Sequence, residues 1–482
     1  HMINVAVGAN IRENDMKTKS FSAQGFPEGN FTRPSFANSY PEGGKPGYAE
    51  NKNRNANFYL NGGYVYDGRY LLDVNLRSDG TSVFGANKRF STTWSVGLAW
   101  NVHREKFMKD KASFINVLKL RGSVGNPGNQ NFSSYSAITT YYFNNWMLNN
   151  FGTGVLVSKF GDPNLAWQRT LDKNIGINLS MFSNRFHVTV DFYHKRTDPL
   201  IADIGIPVSM GVEKRRTNIG VQVDKGVNGT IRYAILYKPQ ESINYTMSVN
   251  FRYGTAFYKN IGRSLNAYNQ ENISKNLTRY YDGGSPTALW AVRSRGIDPA
   301  TGQEIFVKKD GTLTYTFDYK DEVEVGDSRP TLEGVWGNTF YYKGWSASLQ
   351  LRYSFGADVF NSTLFNKVEN ISSRSITTNQ DRRALYNRWK KPGDKAKFKS
   401  ISLTESTPMS SRFVMKENYL SIESVRLGYQ FDSKWLKKAL RISSLNINMY
   451  MTSLARFSTL EDERGLYYPF ARSISFSLGA IL

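Results

Sequence analysis

The feature that most narrows what this chain can fold into is a unit of about ten residues in strict alternation, repeated to the end of the sequence. Tyr70, Leu72, Val74 and Leu76 alternate with Leu71, Asp73, Asn75 and Arg77. Phe186, Val188, Val190 and Phe192 alternate with His187, Thr189, Asp191 and Tyr193. Trp345, Ala347, Leu349, Leu351, Tyr353 and Phe355 alternate with Ser346, Ser348, Gln350, Arg352 and Ser354. Near the end Ile474, Phe476, Leu478 and Ala480 alternate with Ser473, Ser475, Ser477 and Gly479. A period of two sends successive side chains to opposite faces of a strand, so each unit has one apolar and one polar face.

Alternation alone fits a soluble sandwich as well as a barrel in lipid. The connections separate the two. About fourteen strands are expected, near 2–12, 52–66, 68–79, 90–102, 116–126, 166–181, 185–197, 217–237, 243–256, 333–343, 345–356, 418–432, 442–453 and 472–482. Long stretches follow every second one from the first onward, except that the loop after the third is of medium length. Between them lie short links: Asp67-Gly68, Ser183-Asn184, Lys343-Gly344 and the segments near 238–242 and 433–441. The link at 103–115 is longer and holds a helix-like piece, Glu105–Lys111. Long connections on one side and tight ones on the other are the plan of an outer-membrane β-barrel. On that plan the C-terminus is periplasmic, and the loops near 13–51, 127–165, 257–332 and 357–417 are extracellular. Loops this long are uncommon in a compact soluble domain.

Composition agrees. Aromatic residues make up 14% of the 482 residues, while the mean hydropathy is only −0.48. A helical membrane protein needs apolar runs of about 18 residues or more, and none occurs here. A β-barrel tolerates a polar average because only every second strand residue meets lipid. The net charge of +22 points either to an acidic partner, such as nucleic acid or anionic lipopolysaccharide, or to exposed loops rich in Lys and Arg. No compact basic stretch of the nucleic-acid-binding kind is present, so nucleic acid is not an expected partner.

The sequence contains no cysteine, which excludes disulfides, thiolate metal sites and a Cys nucleophile. Of its histidines, His1, His103, His187 and His194, none has metal-ligand spacing, and there is no HExxH, Walker loop or GxSxG elbow. No catalysis, metal or cofactor is therefore expected.

The candidate sites are loop aromatics and arginines: Tyr141, Tyr142, Phe143 and Trp146; Tyr280, Tyr281 and Trp290; Arg382, Arg383, Tyr386 and Trp389, beside Arg388. Aromatic faces stack on sugar rings or apolar side chains, and Arg holds acidic groups or hydroxyls. The same residues also suit packing of loops on one another or on a partner. The run Trp389–Asp394 reads as an ordinary turn around Pro-Gly. Polar alternate residues, among them Asp73, Arg77, Lys119, Arg121, Asp191, Arg352 and Arg426, are expected to face a lumen.

Several stretches, in order, resemble the SusC/RagA family of TonB-dependent outer-membrane transporters. They are Tyr64-Val-Tyr-Asp-Gly-Arg-Tyr-Leu-Leu72, Leu76-Arg-Ser-Asp-Gly-Thr-Ser-Val-Phe-Gly85 and Leu118-Lys-Leu-Arg-Gly-Ser-Val-Gly-Asn-Pro-Gly-Asn-Gln130. Asp162-Pro-Asn-Leu-Ala-Trp167, Asn174-Ile-Gly-Ile177, Val190-Asp-Phe-Tyr-His194 and Gly296-Ile-Asp-Pro-Ala-Thr-Gly302 follow. Tyr353-Ser-Phe-Gly356, Arg412-Phe-Val414 and Tyr419-Leu-Ser-Ile-Glu-Ser-Val-Arg-Leu-Gly-Tyr429 complete the set. Each is weak alone, and their order makes them strong together. The resemblance implies an all-β transmembrane antiparallel barrel of about 22 strands around a plug, of which this chain supplies the last part. It implies a SusD-like surface lipoprotein as lid, energy from the TonB complex through a preceding segment, and active import of an oligomeric nutrient. A glycan is the first expectation for the cargo and a peptide the second. A passive porin-like barrel and a structural or adhesive one are the alternatives.

Overall fold

The computed structural model describes residues 1–31, 33–82, 89–111, 113–129, 138–374, 377, 379–403, 405–439, 441–460 and 472–481. Its main sheet is one antiparallel meander in which every strand pairs with its predecessor. In order these are β1 (Met2–Ser20), β2 (Gly47–Tyr66), β3 (Tyr70–Thr81), β4 (Phe90–Asn101), β5 (Ile115–Gly125), β6 (Gln168–Met181) and β7 (Phe186–Thr197). The path continues through β8 (Val221–Lys238), β9 (Ile243–Lys259), β10 (Leu332–Tyr342), β11 (Trp345–Phe360), β12 (Val414–Phe431), β13 (Ser444–Ser458) and β14 (Ile474–Ile481). A short piece, Gly128–Asn129, also joins this sheet beside Arg169 and Gln168. All fourteen expected strands are present. Among the described residues β1 and β14 each pair on one side only, so the sheet is an arc of barrel wall.

Boundaries moved where charged residues keep pairing after the apolar alternation has stopped. β1 and β2 stay in register from Met2↔Val65 to Ser20↔Gly47, so the loop expected over 13–51 shrinks to 21–46. Glu13 bridges Lys52 and Arg54 at 2.7 Å each within that extension, a cross-strand pairing that holds a ribbon without burial. β8 starts later than expected because Lys214–Ile219 pairs instead with Leu200–Gly205 in a separate ribbon. β11 and β12 reach past the expected ends through a register shift between Ser354 and Ala357.

The tight links are built as the alternation requires. Asp67 and Gly68 have φ of 48° and 63°, and Lys343 and Gly344 have 45° and 92°. Two successive positive φ values make a hairpin turn whose twist matches that of its strands. The longer links at this end carry short helices, Lys106–Lys111 and, unexpectedly, Lys434–Ala439.

Directly paired residues share a face, so one strand's parity fixes that of the whole sheet. One row runs Asn61↔Asn75↔Ser95↔Gly125↔Asp172↔Lys195↔Asp224. A row of the opposite face runs Leu72↔Leu98↔Gly122↔Ile175↔Phe192↔Val227↔Tyr253. The first face is polar and the second apolar on the same strands, as a barrel wall between water and lipid requires. At the short-turn end the apolar face carries a belt of paired rings. Tyr70–Trp100, Phe186–Tyr233, Tyr245–Phe340 and Trp345–Tyr429 have centroids 6.4, 5.9, 6.4 and 4.7 Å apart. The Tyr70 hydroxyl and the Trp100 indole N–H both donate to Glu105, at 2.9 and 3.0 Å. Rings with one apolar body and one satisfied polar tip belong at a membrane interface.

Candidate functional site: the polar wall and the long loops

The polar face is a ladder of charges paired across strands. Arg121 Nη2 lies 2.6 Å from Asp191 Oδ2, and Lys195 lies 3.4 Å from Asp172. Arg252 reaches Glu333 at 3.6 Å, Arg352 reaches Glu423 at 3.4 Å, and Arg426 donates to Asn448 Oδ1 at 2.8 Å. Arg77 folds onto Asp79 on its own strand at 2.7 Å. Asp73 shares the Arg77 face of β3, and Lys119 shares the Arg121 face of β5, two rows towards the short turns. Period two therefore placed Asp73, Arg77, Lys119, Arg121, Asp191, Arg352 and Arg426 on one face. A recess of about 590 Å³ along it is lined by Arg121, Asp172, Asp191, Tyr193, Asp224 and Arg252. Tyr193 packs over Gly226 and Gly254, where a Cβ would come within 2.6 and 2.5 Å of its hydroxyl. Glycine in two adjacent strands is what lets this ring lie flat on the wall.

Beyond the wall the loops have cores of their own. Leu200, Ile219, Ile261 and Leu265 form one buried cluster, and Val368, Phe398 and Phe413 another.

In the loop after β5, the ribbon Thr140–Asn149/Gly152–Lys159 displays Tyr141 and Tyr142, both exposed. The side chains of Phe143 and Trp146 lie outside the described ones. Tyr142 helps line a pocket of about 570 Å³ with Lys159, Asp203, Glu213, Lys214 and Arg216. Arg216 grips Asp203 with two hydrogen bonds of 2.8 and 3.1 Å.

The loop between β9 and β10 contains a helix, Asn266–Glu271, and a four-stranded sheet centred on Ala288–Ile297. Tyr280 is wedged between Tyr258 and Tyr268, 5.7 and 5.4 Å away, and burial raises its pKa. Tyr281 meets Trp290 at 4.7 Å and keeps one exposed edge. Beneath them Arg279, 1% exposed, binds Glu322 through two bonds of 3.0 and 2.9 Å. Its remaining N–H groups donate to the carbonyls of Ile273, Asn276 and Thr278, each at 2.9 Å. A buried guanidinium satisfied in this way is structural. Burial pushes the Glu322 carboxyl up, opposed by Arg279.

The loop between β11 and β12 separates its candidates. Arg383 is folded onto Asp381, with Nη2–Oδ2 at 2.6 Å, and holds that carboxyl below its usual range. Arg388 is buried and donates to Ala384 O at 2.7 Å, to Lys399 O at 2.9 Å and to Val368 O. Trp389 donates its indole N–H to Pro299 O at 2.9 Å and covers Gly302, joining this loop to the previous one. Asp394 caps the turn by accepting from the backbone N–H of Lys390 and Lys391, each at 3.0 Å. Arg382 and Tyr386 remain exposed, the guanidinium 6.0 Å from the ring centroid.

One residue outside the candidate set holds these two loops together. Arg412 Nη2 lies 2.9 Å from Glu304 of one loop and 2.5 Å from Glu369 of the other. Ser410 donates to Glu304 at 2.5 Å and Thr407 to Glu369 at 3.1 Å, while burial lowers the Lys399 pKa. Arg412 was visible in the stretch Arg412-Phe-Val414; Glu304 and Glu369 carried no signal, because pairing across 108 and 43 residues leaves no local pattern. The candidates thus divide. Tyr141, Tyr142, Arg382 and Tyr386 point outwards, Tyr281 sits at an edge, and Tyr280, Trp290, Arg383 and Trp389 serve the loop architecture.

The family model described as TonB dependent receptor-like, beta-barrel matches residues 8–371. The TonB-dependent receptor P39 of Formosa agariphila is 26% identical over 454 residues, covering 84% of this chain and 43% of that protein. The TonB-dependent receptor SusC of Bacteroides thetaiotaomicron is 24% identical over 447 residues, covering 86% and 42%. The chain superposes on the structure of the RagAB peptide transporter with a TM-score of 0.83 at 20% identity, covering 95% of this chain and 50% of that one. It spans less than half the length of these curated relatives.

Proposed function

The chain belongs to the TonB dependent receptor-like, beta-barrel family, and on that premise we propose that it is of the SusC/RagA kind and forms the wall and outer loops of an outer-membrane importer. The polar face is its lumen side, and the long loops face outwards. Cargo is an oligomeric nutrient, a glycan first. Energy comes from TonB through a part of the protein outside this chain, and a SusD-like lipoprotein covers the outer mouth.

One observation supports this reading above the rest: partly exposed Arg–carboxylate pairs line the polar face beneath loops that are internally locked. Such pairs offer hydrogen bonds to whatever fills the lumen, and the locked loops form a preorganised rim. Exposed Tyr141, Tyr142, Tyr386 and Arg382 supply stacking faces and a cation for cargo or lid. The likeness to the RagAB peptide transporter supports peptide as the second reading.

The test is ligand identification by mass spectrometry on the natively purified full-length complex with its lipoprotein. Co-purified oligosaccharide supports the first reading, and co-purified peptide replaces it with the second. Uptake that persists when the proton motive force is collapsed would remove the importer reading altogether.

A further inference from the structure

The lipid-facing side of the wall is not uniformly apolar. Just above the apolar row ending in Tyr253 runs a row with a different character, Lys173↔His194↔Lys225↔Thr255. Arg196 lies two positions further along β7 on the same face, and Lys259 lies beyond Thr255 on β9. Lys173, His194, Arg196, Lys225 and Lys259 are all exposed. The Lys225 and Lys259 ammonium groups approach one ring, Phe257, at 5.8 and 5.3 Å from its centroid, so they converge.

Acid is segregated from this patch. The acidic residues of β6 to β9 are Asp172, Asp191 and Asp224, and all three lie on the opposite, polar face. Asp198, just past β7, accepts from Arg196 at 2.9 Å. Lys173, Lys225 and Lys259 have no acidic partner among the described residues. Cations left unpaired on the lipid side of a barrel are costly unless an anion in the membrane meets them.

Depth indicates which anion. From the ring belt at Phe186 to His194 the strand climbs roughly 26 Å, or about 20 Å along the membrane normal at a tilt of ~40°. The apolar band is about 25 Å tall, and Arg196 and Lys259 lie two and four residues further along their strands, so the basic patch straddles the band's upper edge at headgroup level on the long-loop side. We propose that Lys173, Lys225 and Lys259, with His194 and Arg196 beside them, form a binding site for the phosphate groups of an anionic glycolipid of the outer leaflet. The site rests on the outward orientation of the long loops and is independent of cargo.

The experiment uses the full-length transporter in detergent, challenged with diphosphorylated lipid A, its dephosphorylated form or phosphatidylglycerol, and reads bound lipid by native mass spectrometry. The wild-type protein is expected to retain diphosphorylated lipid A. The triple variant Lys173→Gln/Lys225→Gln/Lys259→Gln should lose at least about ten-fold in retention, and the triple Lys→Arg variant should keep it. Heat-modifiable migration of each variant confirms that the barrel is intact. Equal retention by the wild-type and Gln variants, or by phosphorylated and dephosphorylated lipid, overturns the site, as would a preference for phosphatidylglycerol. Surface proteolysis of the long loops in whole cells tests orientation separately, so failure of the site and failure of that reading are distinguishable.

Discussion

The wall and the long loops use the same charged residues in opposite ways. On the wall Arg121, 36% exposed, meets Asp191 two strands away, over Gly176 of the strand between them, at a position set by the strand period. In the loops Arg412, 10% exposed, meets Glu304 and Glu369, partners from two different connections. The wall draws its order from backbone pairing, and its charges face a cavity. The loops have no continuous ladder, so their charges and small apolar clusters must do the ordering. A single substitution should therefore do little to the wall and much to the loops.

The sharpest way to break the comparison is to remove the wall's own support. Among the described residues β1 and β14 each lack a neighbour on one side, and unpaired edges in lipid leave backbone groups without partners. Residues 1–482 expressed alone are expected to aggregate instead of giving a heat-modifiable monomer on a semi-native gel. A stable folded monomer of this segment would show that the ladder closes without further strands.

Second in size is Arg412→Met. It strips the shared cation from two carboxylates that are 6% and 0% exposed, a kind of loss that costs about 3–5 kcal/mol when a buried pair is broken. The expected result is new protease cleavage within 257–332 and 357–417, with the barrel's heat-modifiability unchanged. Arg121→Met should cost less, about 1 kcal/mol, because Arg121 is itself 36% exposed and Asp191 still borders the recess of the polar face. If Arg121→Met proves the more damaging, the proposed division of labour fails.

The same contrast explains what was legible in the sequence. The strands and the faces of Asp73, Arg121 and Arg352 followed from a period of two, which is a local property. The ends of β1 and β2 were hidden because pairing there rests on Glu13, Lys52 and Arg54, which break no alternation rule and satisfy none. In the loops, residue type identified aromatics that matter without telling which way they point. Trp389 and Tyr386 are three residues apart, yet one is fastened to Pro299 and the other is exposed. That difference depends on the Pro299–Gly302 turn arriving from another loop, which no local window contains.

Those two residues give the third prediction. Trp389→Ala loses an indole hydrogen bond and the cover over Gly302, and should destabilise the joined loops by about 2–3 kcal/mol. Tyr386→Ala should leave stability within about 0.5 kcal/mol while weakening capture of cargo or lid in a binding assay on the full complex. Loss of stability in both, with no change in capture, would assign Tyr386 to the scaffold.

The smallest effect is one of pH, and it separates buried from exposed carboxylates within one loop. Asp298 is held below its usual range by hydrogen bonds, first from the Tyr315 hydroxyl, at 2.7 Å, and then from Ala300 N. A depressed carboxyl contributes stability above its ordinary pKa and loses it as pH falls through the folded value. Glu322 is shifted the other way, chiefly by burial. Its folded form holds the proton longer than the unfolded chain does, so stability falls as pH rises from the ordinary carboxylate range through the raised value. Hydrogen exchange of the 288–327 sheet between about pH 3 and 6 should therefore show two opposed slopes. Asp298→Asn should remove the acid-side loss, and Glu322→Gln the rise in exchange toward neutral pH. If Glu322→Gln leaves that upper slope intact, burial is not what governs the carboxyl beneath Arg279.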